Sequence, residues 1–168
     1  MIRLVHVEHQ IHLIRTDLAE AFPATIFQIT IDRAGYTPVL DISWTDGPTY
    51  DDVWTVIDPY NGEPDHPGED DRTQNDAIAC VGYLSLLRYP SRAFFERQMR
   101  RVCGEHGITP GPVQWVNGLP FVDWAAQIDL GSTFLWAAIY DKVGRTRAGD
   151  CVLGRMPNRP PIEAVRET

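Results

Sequence analysis

Apolar positions near the start of the chain recur in steps of four and three: Val7, Ile11, Ile14, Leu18 and Phe22. At 3.6 residues per turn these share one face, so residues 4–22 are expected to form an amphipathic helix. Pro23 closes it, because the residue before a proline is driven out of the helical region. The period then drops to two. Phe27, Ile29 and Ile31 alternate with Gln28, Thr30 and Asp32, and beyond a turn at Arg33-Ala34-Gly35-Tyr36, Leu40, Ile42 and Trp44 alternate with Asp41, Ser43 and Thr45. Two half-buried strands of an antiparallel hairpin are the expected result.

The chain turns sharply at Asp46-Gly47-Pro48-Thr49, and Thr49 with Asp52 has the spacing of a capping box, Asp standing where Glu is usual. Tyr50, Val53, Trp54 and Ile57 form one face of a short second helix that ends at Asp58-Pro59. Residues 58–76 are polar and rich in proline and carboxylates, which predicts a mobile loop. Residues 77–88 return to an apolar, strand-like run. Ser91 is placed to cap a helix over 92–106, with Phe95, Met99 and Val102 inside and Gly107 as its stop. From Pro112 to Trp124 one or two short strands are expected around Asn117-Gly118. Ser132 is a candidate cap for a helix to about Val143, although Thr133–Tyr140 is short and aromatic enough to be a strand. Residues 148–168 read as a flexible tail. The α-β-β-α-β-α order predicts a two-layer α+β fold: a small antiparallel sheet with helices on one face, in a single domain over 1–147 with a C-terminal extension. The runner-up is a larger mixed sheet completed by strands from 112–124.

Composition narrows the function. The 168 residues carry 15 Lys+Arg against 23 Asp+Glu, a net charge of −8. Such a chain supplies little counter-charge for phosphates, so direct nucleic-acid binding is disfavoured; the charge suits docking to a basic protein surface. Three cysteines without paired spacing, Cys80, Cys103 and Cys151, fit a reducing compartment. The N-terminus lacks signal-peptide features and no stretch has the length of a membrane span, so the cytoplasm is expected.

The sequence around the turn, Trp44-Thr45-Asp46-Gly47-Pro48-Thr49, is preceded by a helix ending Phe22-Pro23 and by the strands Phe27-Gln28-Ile29 and Ile42-Ser43-Trp44. With Ile14-Arg15 and Val53, this order resembles one of the large-polyvalent-protein-associated domains, over about residues 10–106. Those domains occur on phages and conjugative elements, within long multi-domain proteins or free-standing. The resemblance implies mobile-element biology and supplies no reaction, cofactor or catalytic residue.

The residues themselves offer few catalytic constellations. Each of Asp46, Gly47 and Pro48 has a turn role: Asp46 caps, Gly47 takes a positive φ, and Pro48 pre-sets the first helical residue. His6, His9 and His12 are spaced three apart and diverge around a helix, unlike the spacing of four that stacks two metal ligands. Cys103, His106, Cys80 and His66 lack the paired spacing of structural zinc sites, and the acids of 63–76 lack a calcium-loop register. No nucleophile elbow and no phosphate loop is present. No cofactor, metal or catalytic residue is therefore assigned.

The function expected first is a non-catalytic protein-interaction or inhibitor module, acting against a nucleic-acid-binding or defence protein. Its partner-binding candidates are Asp65, Glu69, Asp70 and Asp71 of the acidic segment and the tryptophans Trp115, Trp124 and Trp136, at least one of them exposed in a partner or homodimer contact. Trp44 and Trp54 are expected in the core. One alternative is a metal-assisted hydrolase using Asp46 with Asp51, Asp52 or Asp65. The other is nucleic-acid association through Arg92, Arg97, Arg100 and Arg101 on the third helix.

Overall fold

The computed structural model of the chain describes residues 7–32, 39–60, 83–149 and 151–157. The elements run α1 (Val7–Ala21), β1 (Phe27–Asp32), β2 (Val39–Thr45), α2 (Tyr50–Ile57), β3 (Tyr83–Tyr89), α3 (Arg92–Glu105), β4 (Gln114–Val116), β5 (Leu119–Phe121) and α4 (Leu135–Arg145). Short 3-10 turns at Asp58–Tyr60 and Asp123–Gln127 complete them. The α+β class and the α-β-β-α-β-α order are those the sequence predicts. No helix among the described residues is long and apolar enough to cross a membrane.

The first core lies between the sheet and two helices. β1 and β2 pair antiparallel, with Ile29 opposite Ile42 and Ile31 opposite Leu40. Leu40, Ile42 and Trp44 of β2 are buried against Ile11, Ile14, Leu18 and Phe22 of the first helical segment and Val53, Val56 and Ile57 of α2. Each such side chain contributes about 1.5–3 kcal/mol by leaving water, which is what holds short helices that are marginal alone. Trp44 is buried as expected, and Trp54 is half-buried against this core, stacked on Tyr50 at 6.2 Å.

The third strand departs from the expected antiparallel sheet. β3 pairs with β2 in parallel, Ile42 beside Leu86 and Trp44 beside Arg88, so the sheet is mixed. β3 starts beside the first residues of β2, Tyr83 against Val39, as a parallel neighbour joined by a crossover does.

The third helix also departs from expectation. Its inner stripe, Phe95, Met99 and Val102, is buried, but against Leu135, Ile139 and Val143 of α4 in a second core, together with Val122 and Ala125. Three strands are about 14 Å wide, and two helices of about 10 Å diameter already cover their inner face. A third amphipathic helix must find its own partner, and α4 supplies it.

Other local predictions resolve as follows. Thr49 and Asp52 form the capping box. Ser91 caps α3, and Gly107 beyond it has φ +65°. Asn117 and Gly118 take φ +50° and +79° between β4 and β5, the geometry a two-residue hairpin needs. α4 forms in place of the alternative strand, but Phe134, not Ser132, occupies its cap position and makes no side-chain cap bond. Ser132 lies in a preceding turn closed by Leu130 N–H to the Thr133 carbonyl at 2.9 Å. Asp58–Tyr60, assigned by sequence to the mobile loop, is helical and buries Tyr60. The Arg33–Tyr36 turn, the acids Asp65, Glu69, Asp70 and Asp71, and His6, His66 and Cys80 lie outside the described residues. Of the tail expected over 148–168, residues 148, 149 and 151–157 are described, and they are bonded to the first core's elements through Ala148 N–H to the Gly47 carbonyl and Gly154 N–H to the Ala21 carbonyl.

Candidate functional site

The turn after β2 is where the two cores meet. Asp46 and Gly47 both have left-handed backbones, φ +53° and +57°. Gly47 faces a second restriction: a Cβ there would sit 2.7 Å from Thr25 Oγ1. Only glycine fits both the dihedral and the space. Pro48 is two residues ahead of the first helical residue rather than at it, and its carbonyl accepts the Trp44 indole N–H at 3.0 Å. Asp46 does cap, but across the molecule. Its Oδ1 accepts the Ser91 N–H at 2.6 Å, just ahead of α3, and its own N–H donates to the Tyr89 carbonyl at 3.0 Å.

Arg88 completes the junction. It follows Leu84 and Leu86 on the inward face of β3, a position where a charge is costly unless every donor is met. Its five N–H groups all reach backbone carbonyls. Nε donates to Asp46 at 2.9 Å, Nη1 to Val143 at 2.9 Å and Gly144 at 3.2 Å, and Nη2 to Gly47 at 3.2 Å and Thr146 at 2.9 Å. The guanidinium also lies over the Phe94 ring, 5.2 Å from its centroid. Burial pushes the Arg88 pKa down, opposed by the charge of Asp46; at neutral pH the group remains a cation. One side chain thus clamps the turn of the first unit to the C-terminal end of α4 in the second.

A second link runs from α2. Arg147 grips both carboxylate oxygens of Asp52 at 2.8 and 2.5 Å, while Asp52 also accepts the Thr49 N–H at 2.9 Å. The Arg147 bond holds the Asp52 pKa down at about 2, against a smaller upward push from burial, with the Thr49 bonds adding to the lowering. Among the described residues, the acids considered for metal-assisted hydrolysis therefore form no metal-holding group, and Asp65 lies outside those residues. Asp46 and Asp52 each have structural partners, Asp51 is exposed, and no group of three His, Cys, Asp or Glu side chains among the described residues could hold an ion. Burial raises the pKa of the Cys103 thiol, which keeps it protonated and unsuited to nucleophilic attack.

Asp17 is the buried carboxylate of the first core. It accepts a short hydrogen bond from the Tyr60 hydroxyl, and Gln10 Nε2 donates to the Tyr60 carbonyl at 3.0 Å. These bonds fix the 3-10 turn against α1.

Two clefts flank the junction. One, of about 360 Å³, is lined by Thr25, Gln28, Ser43, Thr45 and Tyr89 with Trp44 and Gly47 at its base, and has hydroxyls but no charged side chain. The other, of about 370 Å³, is apolar: Leu119, Pro120, Phe121, Tyr140 and Val143 line it beside Arg88. Neither presents a base, nucleophile and anion-stabilising donor together.

The three downstream tryptophans take different places. Trp124 is half-buried, its indole N–H donating to the Pro112 carbonyl at 2.9 Å and its ring filling the space a side chain at Gly111 would need. Trp115 packs against Phe95 in a T-shaped contact at 5.9 Å, with the Arg92 guanidinium over its ring at 5.5 Å. Trp136 is 42% exposed and stands edge-on to Tyr140 at 6.1 Å. Leu119 and Phe121 are also about two-fifths exposed, so an apolar surface runs from the β4–β5 hairpin to α4. The basic stripe on α3 is partly neutralised: Arg100 pairs with Glu96 at 3.1 Å and Arg101 with Glu105 at 3.3 Å. Arg97 lies over the Phe94 ring at 5.6 Å.

Sequence reasoning missed Arg88 and Arg147. Arg88 carried a readable signal, since a lone charge in the inward register of an apolar strand needs dedicated partners. Arg147 carried none. The chain matches no curated protein and no solved structure. The family model described as large polyvalent protein associated domain 29 matches residues 5–91, from the start of α1 through the turn and Arg88 to the cap of α3. Those residues are just over half of the 168, and the chain belongs to the large polyvalent protein associated domain 29 family.

Proposed function

We propose that this chain is a non-catalytic protein-interaction module of a mobile genetic element, in which the family domain is the scaffold and the unit after it meets the partner. The observation that carries this reading is the exposed apolar surface of Leu119, Phe121 and Trp136 beside an apolar cleft. Apolar side chains grouped on a surface next to a pocket are a usual feature of protein-binding faces, and tryptophan is a frequent anchor there. Trp115 joins that face through Phe95, which also packs on Tyr140, and Trp124 packs on the same core. The acids Asp65, Glu69, Asp70 and Asp71 supply the counter-charge for a basic partner, such as a nucleic-acid-binding or defence protein whose phosphate-facing surface they would occupy. The engagement of Asp46 and Asp52 by structural partners supports a module without hydrolase chemistry.

A photo-crosslinking residue placed at position 136 in bacterial cells tests it. The expected result is one discrete adduct that disappears in Phe121→Asp, with affinity for the purified partner falling about 30-fold in Trp136→Ser, as loss of a 2 kcal/mol anchor requires. An adduct of twice the chain mass assigns the face to a second copy. No adduct, or the same diffuse ladder as from position 100 on the charged face of α3, overturns the proposal.

A further inference from the structure

Residues 146–149 and 151–157 follow α4 and lie along the family domain, fastened at separated points. Arg88 holds the Thr146 carbonyl at 2.9 Å. Arg147 grips Asp52 at the start of α2. The Ala148 N–H donates to the Gly47 carbonyl at 3.0 Å, and the Ala148 side chain is buried. Farther on, the Gly154 N–H donates to the Ala21 carbonyl at 2.6 Å, satisfying one of the carbonyls that the end of α1 leaves open. Gly154 is pressed so closely onto that helix end that a Cβ would lie 1.8 Å from the Glu20 carbonyl oxygen.

Apart from Ala148, whose small side chain joins the second core, these fastenings are polar: two backbone hydrogen bonds, the Arg88 bond to Thr146 and one ion pair. The large apolar side chains of the segment, Val152, Leu153 and Met156, remain about half exposed. A segment that buries little apolar area opens at a fraction of the free energy of global unfolding. Arg147 is half exposed, so salt reaches the ion pair, whereas Arg88 is bonded at all five donors within the junction.

We infer that residues 147–149 and 151–157 form a releasable strap, with Arg147–Asp52 as a salt-sensitive catch and Gly154 as the distal seat, while Arg88, on Thr146 and the end of α4, keeps the two units joined when the strap opens. Release frees Val152, Leu153 and Met156, with the Ala148 and Gly154 amides, for another contact. The device is independent of which partner the module binds.

Amide hydrogen exchange, read residue by residue by NMR on the full chain, tests it. Raising NaCl from 50 mM to 1 M at neutral pH is expected to speed exchange at Ala148 about five-fold, as loss of a partly exposed, two-pronged ion pair implies. Arg147→Gln is expected to do the same at low salt, with the β2 amides and the Asp46 amide unchanged. Gly154→Ala is expected to abolish protection at position 154 and leave Ala148 protected. Ala148 exchange that ignores both salt and Arg147→Gln overturns the catch. Retained protection at position 154 in the Gly154→Ala protein overturns the seat. Simultaneous loss of protection in the strap and in β2 overturns the device, because the segment would then be an integral part of one cooperative unit.

Discussion

The family domain and the unit that follows it are built on different terms. Residues 1–91 hold 5 Lys+Arg against 15 Asp+Glu, a net charge of −10, whereas residues 92–168 hold 10 against 8, a net of +2. The first unit buries a sheet beneath two helices and closes its core with Leu40, Ile42 and Trp44. The second has two helices, a hairpin of two three-residue strands and a 3-10 turn, and leaves Leu119, Phe121, Phe134 and Trp136 about two-fifths to one-half exposed. The contrast lies in charge and in where exposed apolar groups gather: Ile26, Tyr50 and Leu87 of the first unit are exposed too, but in the second Leu119 and Phe121 line one apolar cleft. What joins them is polar. Arg88, Asp46 and Asp52 all belong to the family domain, and what they hold is the start of α3, the end of α4 and the strap.

The comparison breaks most severely at Arg88. Arg88→Met removes the donor from five carbonyls and is expected to destabilise the protein by about 3 kcal/mol, since each poorly satisfied polar group costs about 1 kcal/mol or more and some regain water. Urea denaturation followed by far-UV circular dichroism measures it; a loss below about 1 kcal/mol would show that apolar contacts join the units without the guanidinium.

Asp46 comes next. Asp46→Ala loses the bond to Ser91 and places a residue poorly suited to φ +53° in the turn, for a cost of about 1–2 kcal/mol. Asp46→Asn keeps an acceptor and tolerates the left-handed backbone, so it is expected to cost less than half as much. Equal losses in the two variants would mean that the negative charge, not the acceptor and the turn, is what the junction uses.

The acidic side of the comparison has a pH signature. Asp52 titrates at about 2 when folded, below its ordinary value of 3.8. A depressed folded pKa gives stability that is present above the unfolded value and is lost as pH falls through the folded one. The stability advantage of the wild type over Asp52→Asn is therefore expected to hold above pH 4 and to shrink between pH 4 and pH 2. A constant difference across that window would remove Asp52 as its source.

The smallest effect is expected on α3. Arg100→Ala breaks an exposed pair with Glu96 and is expected to change the midpoint of thermal unfolding by no more than about 0.5 kcal/mol equivalent. A larger loss would give the basic stripe a structural role that the comparison does not assign it.

Much of the first unit was legible because its signals are local. The 3.6-residue period of Ile11, Ile14, Leu18 and Phe22, the two-residue period of β1 and β2, and the Thr49–Asp52 box each specify structure from neighbours in sequence. The direction of β3 was not legible, since Leu84, Leu86 and Arg88 alternate in the same way in a parallel or an antiparallel ladder. Nor was the partner of α3, because Phe95, Met99 and Val102 specify a buried face without saying what covers it. The cap of α4 was misplaced because Ser132 has the right chemistry, yet Leu135 N–H bonds back to the Ile128 carbonyl and starts the helix later. The turn residues of the junction were readable one by one as turn formers. Their long-range work, Asp46 on Ser91 and Arg88 on Val143 and Thr146, spans 45 to 58 positions and leaves no periodic trace.

Native-state hydrogen exchange across a urea series, comparing wild type with Arg88→Met, tests the junction most directly. In the wild type, the slowest amides of β2 in the first core and of α3 in the second are expected to converge on one opening free energy as urea rises. In Arg88→Met the two sets are expected to separate, α3 and α4 opening at lower free energy while β2 keeps its own. Continued convergence of both sets in Arg88→Met, at a common stability, would contradict the claim that this one arginine couples the two units.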